Sequence, residues 1–126
     1  MRDLNRVFLI GHLGRDPEQR ETKKGNPVVN FSLATSKKFK NEAAEDGSGL
    51  EERTEWHRVV VWGKLGDRCM RFIKKGALVC VEGEIRTHSY SDKSGVEKIA
   101  FEVHADDVHF LSSVARREEV PMVAEA

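Results

Sequence analysis

Only two cysteines, Cys69 and Cys80, occur in the 126 residues, and they lack the C-x-x-C spacing of a zinc or redox motif. Reduced, buried thiols are therefore expected, with neither a disulfide framework nor a metal. No apolar run is long enough to span a bilayer, and the N-terminal residues do not read as a signal peptide. A cytoplasmic protein without a membrane segment is expected. Catalytic signatures are missing too. His12, His57, His88, His104 and His109 show no H-E-x-x-H spacing and no adjacent nucleophile motif, and residues 63–66 lack the P-loop pattern. No catalytic residue and no cofactor are expected. Asp106-Asp107 could hold a metal as a pair, but Val-His-Phe follows it, and it reads as the end of a strand. An excess of one charge is also absent, with 21 Lys and Arg against 21 Asp and Glu. Averaged over the chain, that balance counts against a phosphate-binding surface. The distribution qualifies it: acidic residues crowd into 42–55 and the C-terminal end, whereas Lys37, Lys38, Lys40, Lys64, Arg68, Arg71, Lys74, Lys75 and Arg86 lie elsewhere. A local basic groove fits that pattern.

What is present suits one domain that buries a core unaided. Residues 7–10, closed by Gly11 and Gly14, read as a first strand. Residues 28–36 alternate, which predicts a half-buried strand with Phe31 and Leu33 inward. Residues 37–53 are polar and charged without a hydrophobic period, so a long mobile loop or hairpin tip is expected. Residues 54–62 alternate again, placing Trp56, Arg58, Val60 and Trp62 on one face and His57, Val59 and Val61 on the other. A helix is predicted over 64–75, from Leu65, Cys69, Phe72 and Ile73 on one side and Gly76 as the stop. Strands over 78–89 and 97–111 follow, joined by the turn Ser91-Asp-Lys-Ser-Gly, with Gly83 marking a bulge or bend. Three strands, one helix and two strands predict an all-β, five-stranded OB-fold barrel with its helix between strands 3 and 4. The expected domain covers residues 1–112, and 113–126 form a short flexible tail.

Aromatic residues on strands usually belong to a core, and that is the expectation for Phe8, Phe31, Phe101 and Phe110. Trp56 and Trp62 differ because they share a face with Arg58, a charge that is hard to bury unpaired. Phe39 and Tyr90 sit among polar and charged neighbours. Rings interleaved with cations can stack unpaired bases and hold the backbone. The same pattern fits an ordinary charged surface, and composition does not choose between them.

Several segments, taken in order, resemble the bacterial single-stranded DNA-binding proteins, a family of OB-fold tetramers. They are Asn5-Arg-Val-Phe-Leu-Ile-Gly-His-Leu-Gly-Arg-Asp-Pro-Glu, Phe31-Ser-Leu-Ala-Thr-Ser, Thr54-Glu-Trp-His-Arg-Val-Val-Val-Trp-Gly-Lys-Leu, Glu82-Gly-Glu-Ile-Arg-Thr and Ser91-Asp-Lys-Ser-Gly. The resemblance spans roughly residues 4–112. It implies sequence-nonspecific binding and protection of single-stranded DNA in replication, recombination and repair, by a nucleoid-associated homotetramer. It implies stacking at Phe39, Trp56, Trp62 and Tyr90, with Phe72 at a further aromatic position. Phe39 and Tyr90 stand where the family often has Trp, and Trp62 where Phe is common. Phosphate contacts are expected from Arg58, Lys64, Lys75 and Arg86, and a subunit contact from His57. Replication and repair proteins are implied as partners, but Arg116-Arg-Glu-Glu-Val-Pro-Met-Val-Ala-Glu-Ala has neither the acidic run nor the final aromatic residue through which the family recruits them. Truncation and natural shortness both fit that ending. A related primosomal OB-fold dimer, an RNA-binding module and a protein-binding scaffold are the alternatives; an enzyme ranks last.

Overall fold

The computed structural model describes residues 2–112. In chain order the elements are β1 (Val7–Leu13), β2 (Glu18–Glu21), β3 (Pro27–Lys40), β4 (Leu50–Trp62), α1 (Gly63–Phe72), β5 (Leu78–Ser91) and β6 (Glu97–Ser112). Strands β1, β5, β6, β4 and β3 form a ring that closes through a short β1–β3 pairing at His12 and Leu13. Every neighbouring pair is antiparallel except β4–β6. This is the predicted five-stranded barrel, with α1 between its third and fourth strands. The tail assigned to 113–126 lies outside the described residues.

Alternation along each strand fills the barrel. Val29, Phe31 and Leu33 of β3, Val59 and Val61 of β4, Val79 and Val81 of β5 and Val103 of β6 point inward and are buried. Helix α1 plugs the end where β4 finishes and β5 begins, adding Cys69 and the following Ile73 to the same cluster. Burial pushes the Cys69 thiol up to about 11, against a smaller opposing effect from Arg68, so it stays protonated. Cys80 is also free but only half-buried, on the outer side of β5, so burial of both thiols was not met.

Close backbone approach explains two glycines. A Cβ on Gly11 would lie 2.2 Å from the Ala34 carbonyl oxygen, so β1 runs through this residue into its contact with β3 instead of ending there. A Cβ on Gly83 would lie 2.2 Å from the His104 carbonyl oxygen. The register of β5 against β6 shifts between Glu82 and Gly83, at the bulge expected there.

Other expectations need correction. The predicted helix extends too far, because Ile73 is already extended and turns its side chain into the core. Lys74 and Lys75 lie in the turn after it, where the Lys75 backbone N–H donates to Asp16 Oδ1 at 2.8 Å. Residues 37–53 are mostly strand: β3 and β4 pair without a break from Val28–Trp62 out to Lys40–Leu50, leaving only 41–49 as the tip. The outer part is a two-stranded arm beyond the barrel. Residues 86–91 and 97–102 make a second such ribbon. Phe31 is buried as expected and Phe110 packs against the core. Phe8 and Phe101, expected in the core, are 62% and 71% exposed. Phe8 takes the outward phase of β1, opposite to Val7 and Leu9. Phe101 has the inward phase of Val103 but stands beyond the barrel's end, at the rim of a hollow of about 250 Å³ that Val7, Leu9, His57, Ile85 and Val103 also line.

Candidate nucleic-acid interface

The outward phase of β4 brings Trp56, Arg58 and Trp62 to one face of the barrel, as the alternation predicts. The two indoles are 61% and 44% exposed, whereas Val59 and Val61 between them are fully buried. The strand thus holds its rings rigidly from behind. The Trp56 ring lies over Gly14: a Cβ there would be 2.3 Å from its Cζ3. Gly14→Ala is therefore expected to swing the exposed indole off its seat while leaving the barrel folded. A shift in tryptophan emission at an unchanged melting temperature would register that; an unchanged spectrum would contradict it.

Trp62 is fixed by a polar chain. Its Nε1–H donates to His104 Nδ1 at 3.3 Å, and the other His104 nitrogen, Nε2, lies 3.2 Å from Glu102 Oε1. The indole requires a lone pair on Nδ1, which leaves the imidazole proton on Nε2, directed at the carboxylate. Glu102 also receives Arg58 Nε at 3.0 Å and stands 3.4 Å from His88 Nδ1, while Arg58 Nη2 donates to Asn30 Oδ1 at 2.9 Å. Arg58 is thus exposed as expected, but its guanidinium is already held on two sides. One carboxylate ties together β4, β5 and β6 beneath the tryptophan face. Partial burial of Glu102 works to raise its pKa, but the His104 hydrogen bond and the positive charges of His88 and Arg58 outweigh this and hold it below the ordinary 4.5. A depressed folded-state pKa contributes stability that is complete above the unfolded value and lost as pH falls through the folded one. Glu102→Gln is expected to flatten the fall in stability below about pH 4.5, as read by acid unfolding beside the parent protein.

The remaining candidates lie elsewhere in the fold. Phe39 lies on the β3–β4 arm with the Arg53 guanidinium 5.4 Å above its ring. Tyr90 lies on the β5–β6 ribbon with its ring centroid 6.2 Å from that of His88. Phe72 is on the outer side of α1, paired with Phe110 at 6.0 Å and approached by Arg71 at 5.6 Å. Lys64 and Lys75 are exposed at the start of α1 and in the turn after it. Arg86 is exposed but reaches Glu84 at 3.2 Å. His57 faces away from the tryptophans, half-buried, with Nε2 2.8 Å from Thr35 Oγ1.

A polar groove of about 130 Å³ runs beside Arg58, lined by Arg15, Asn30 and Ser32 among others. Sequence reasoning missed Arg15, Asn30, Glu102 and His104 as parts of this face. The alternation of β6, with Glu102 and His104 out of phase with buried Val103, was the available signal for the last two.

Residues 4–111 match the single-strand binding protein family. Single-stranded DNA-binding protein 1 of Chlorobaculum tepidum is 54% identical over 114 residues, which cover 89% of this chain and 67% of that protein. A solved structure, the Plasmodium falciparum SSB complex with ssDNA, superposes with a TM-score of 0.76 at 28% identity, covering 89% of this chain and 98% of that one.

Proposed function

Because the chain belongs to the single-strand binding protein family, we propose that it protects single-stranded DNA during replication, recombination and repair by stacking bases on Trp56 and Trp62, with Phe39 and Tyr90 extending the path. Single-stranded DNA is its ligand, and it acts as a binding protein and not as an enzyme. The observation that carries the residue assignment is the pair of exposed indoles on one rigid strand face. A ring face accepts any base, so affinity without strong sequence preference follows. In this reading the exposed Lys64, Lys75 and Arg86 meet the backbone, and Phe72 serves a strand that continues past the helix. Arg58 contributes charge from its fixed position over Glu102.

The decisive comparison is poly-dT against matched duplex and RNA at one salt concentration. Quenching of tryptophan emission by poly-dT, with much weaker binding of the other two, supports the reading. Preference for duplex or RNA overturns it, and absence of any quenching at low salt favours a protein-binding scaffold. Each phosphate neutralised on a single strand contributes about 0.7 to the slope of log affinity against log salt. Lys75→Ala and Arg86→Ala are each expected to reduce that slope by about this amount. An unchanged slope removes the residue from the contact set.

Assembly as a homotetramer rests on the family. Phe8 and Ile10 support it as exposed apolar side chains on the outer face of β1, a strand whose free edge is unpaired with β3 before His12. His57 belongs to a subunit contact in this reading. Sedimentation of the parent beside Phe8→Asp and His57→Lys tests these assignments. The bacterial relative supports a cytoplasmic location, and association with the nucleoid would follow from DNA binding. Among the described residues no helix is long and apolar enough to cross a membrane.

A further inference from the structure

Away from the tryptophans, the outer face of β5 and β6 carries a group that the proposed function does not use. Glu82 lies directly opposite Asp107 across the two strands, and His109 is two residues further along β6 on the same side. Their intervening neighbours, Val81 and Val108, are buried, so the three polar side chains share the outward phase. One ligand-type atom from each lies within 4.8 Å of the other two. Nε2 of His109 is 3.3 Å from Asp107 Oδ2 and 3.6 Å from Glu82 Oε2.

Those separations have a specific meaning. A tetrahedral zinc ion with imidazole and carboxylate ligands holds them about 2.0–2.2 Å from its centre, which separates neighbouring ligand atoms by about 3.3–3.6 Å. Both distances around Nε2 match an edge of that tetrahedron. A single proton on Nε2 can point along only one line, toward one carboxylate. A divalent cation placed between the three groups meets both carboxylates and the imidazole lone pair at once. Magnesium and calcium favour six or more oxygen ligands, whereas an imidazole with two carboxylates suits the zinc class.

We propose that Glu82, Asp107 and His109 form a site for a divalent transition-metal ion of the zinc class, with water in the fourth position. The ion clamps β5 to β6 beside the bulge at Gly83 and neutralises two negative charges. The site is independent of the DNA reading. It adjoins Phe8, which is the direct cross-strand partner of Glu82 on β1.

The test uses the full chain, stripped of metal with a chelator. Co²⁺ is titrated while visible d–d absorption is followed, and Zn²⁺ binding is measured by calorimetry. One ion per chain, an intense tetrahedral-type Co²⁺ band, displacement by Zn²⁺ and resistance to excess Mg²⁺ are expected. His109→Gln, Glu82→Gln and Asp107→Asn should each weaken binding by about 10- to 100-fold or more, since even outer-shell changes at metal sites have effects of that size. Their poly-dT affinity should remain at the parent value. Absence of saturable Zn²⁺ binding overturns the proposal. So does binding that all three variants leave unchanged, because the ion would then sit on other histidines.

Discussion

Trp56→Ala combined with Trp62→Ala is expected to weaken poly-dT binding by about 2–6 kcal/mol, the sum of two stacks at about 1–3 kcal/mol each. Even the lower figure is a loss of about 30-fold. The two rings stand on the outward side of a strand whose inward side is already filled by Val59 and Val61, so their removal leaves the barrel's packing intact. Trp62 also donates a hydrogen bond to His104, and its loss costs the fold about 0.5–1.5 kcal/mol. The double variant lacks tryptophan, so anisotropy of a labelled oligonucleotide is the appropriate measurement, with circular dichroism to check folding. A folded double variant that binds like the parent would remove these residues from the interface. The single variants apportion the loss between a ring seated on Gly14 and one held by His104.

The second large effect concerns the fold. Leu33→Ala is expected to destabilise the protein by about 2–5 kcal/mol. Leu33 has no exposed surface, and it belongs with Val59, Val81 and other side chains from several strands to one buried cluster. A ring of hydrogen-bonded strands cannot close around the space that a lost isopropyl group leaves, so most of the cavity persists. Urea unfolding at fixed protein concentration measures the change, because the proposed subunit association would make apparent stability depend on concentration. A loss under about 1 kcal/mol would mean that the barrel relaxes around the site, outside the range usual for such truncations.

Residues whose neighbours alternate in polarity were legible in the sequence. Phe31 and Leu33 marked the inward side of β3, and Trp56 and Trp62 fell opposite to Val59 and Val61. Gly83 was readable because a glycine inside an apolar strand has few other uses. Where both phases of a strand are apolar, the pattern loses its power. In Val7-Phe-Leu-Ile either side could be core, and Phe8 is in fact outside. Phe101 shows a different limit: its phase is inward, but periodicity does not say where the barrel ends. The four polar residues of β2 and the outer arm of β3 and β4 are strands held by backbone hydrogen bonds with little burial, so they leave no hydrophobic period to detect. The partners of Arg58 were invisible for another reason. Parity placed the guanidinium on the open face, but Glu102 is 44 residues away in sequence and reaches it only through the parallel β4–β6 pairing.

That outer arm sets an order of events on a bound strand. Its hydrogen bonds join two short stretches of chain with no layer packed over them, and an isolated two-stranded ribbon is marginally stable in water. Its amides should exchange with deuterium at a rate set by local opening, ahead of those at Val59 or Val81, which wait for the barrel itself. Phe39 rides on the part that opens, whereas Trp56 and Trp62 stand on the part that does not. If Phe39 and the tryptophans stack bases as proposed, holding one at Phe39 carries an ordering cost that the tryptophans do not incur. Bound DNA should peel from the arm inward, so that a second molecule can take hold of the freed end before the first has let go.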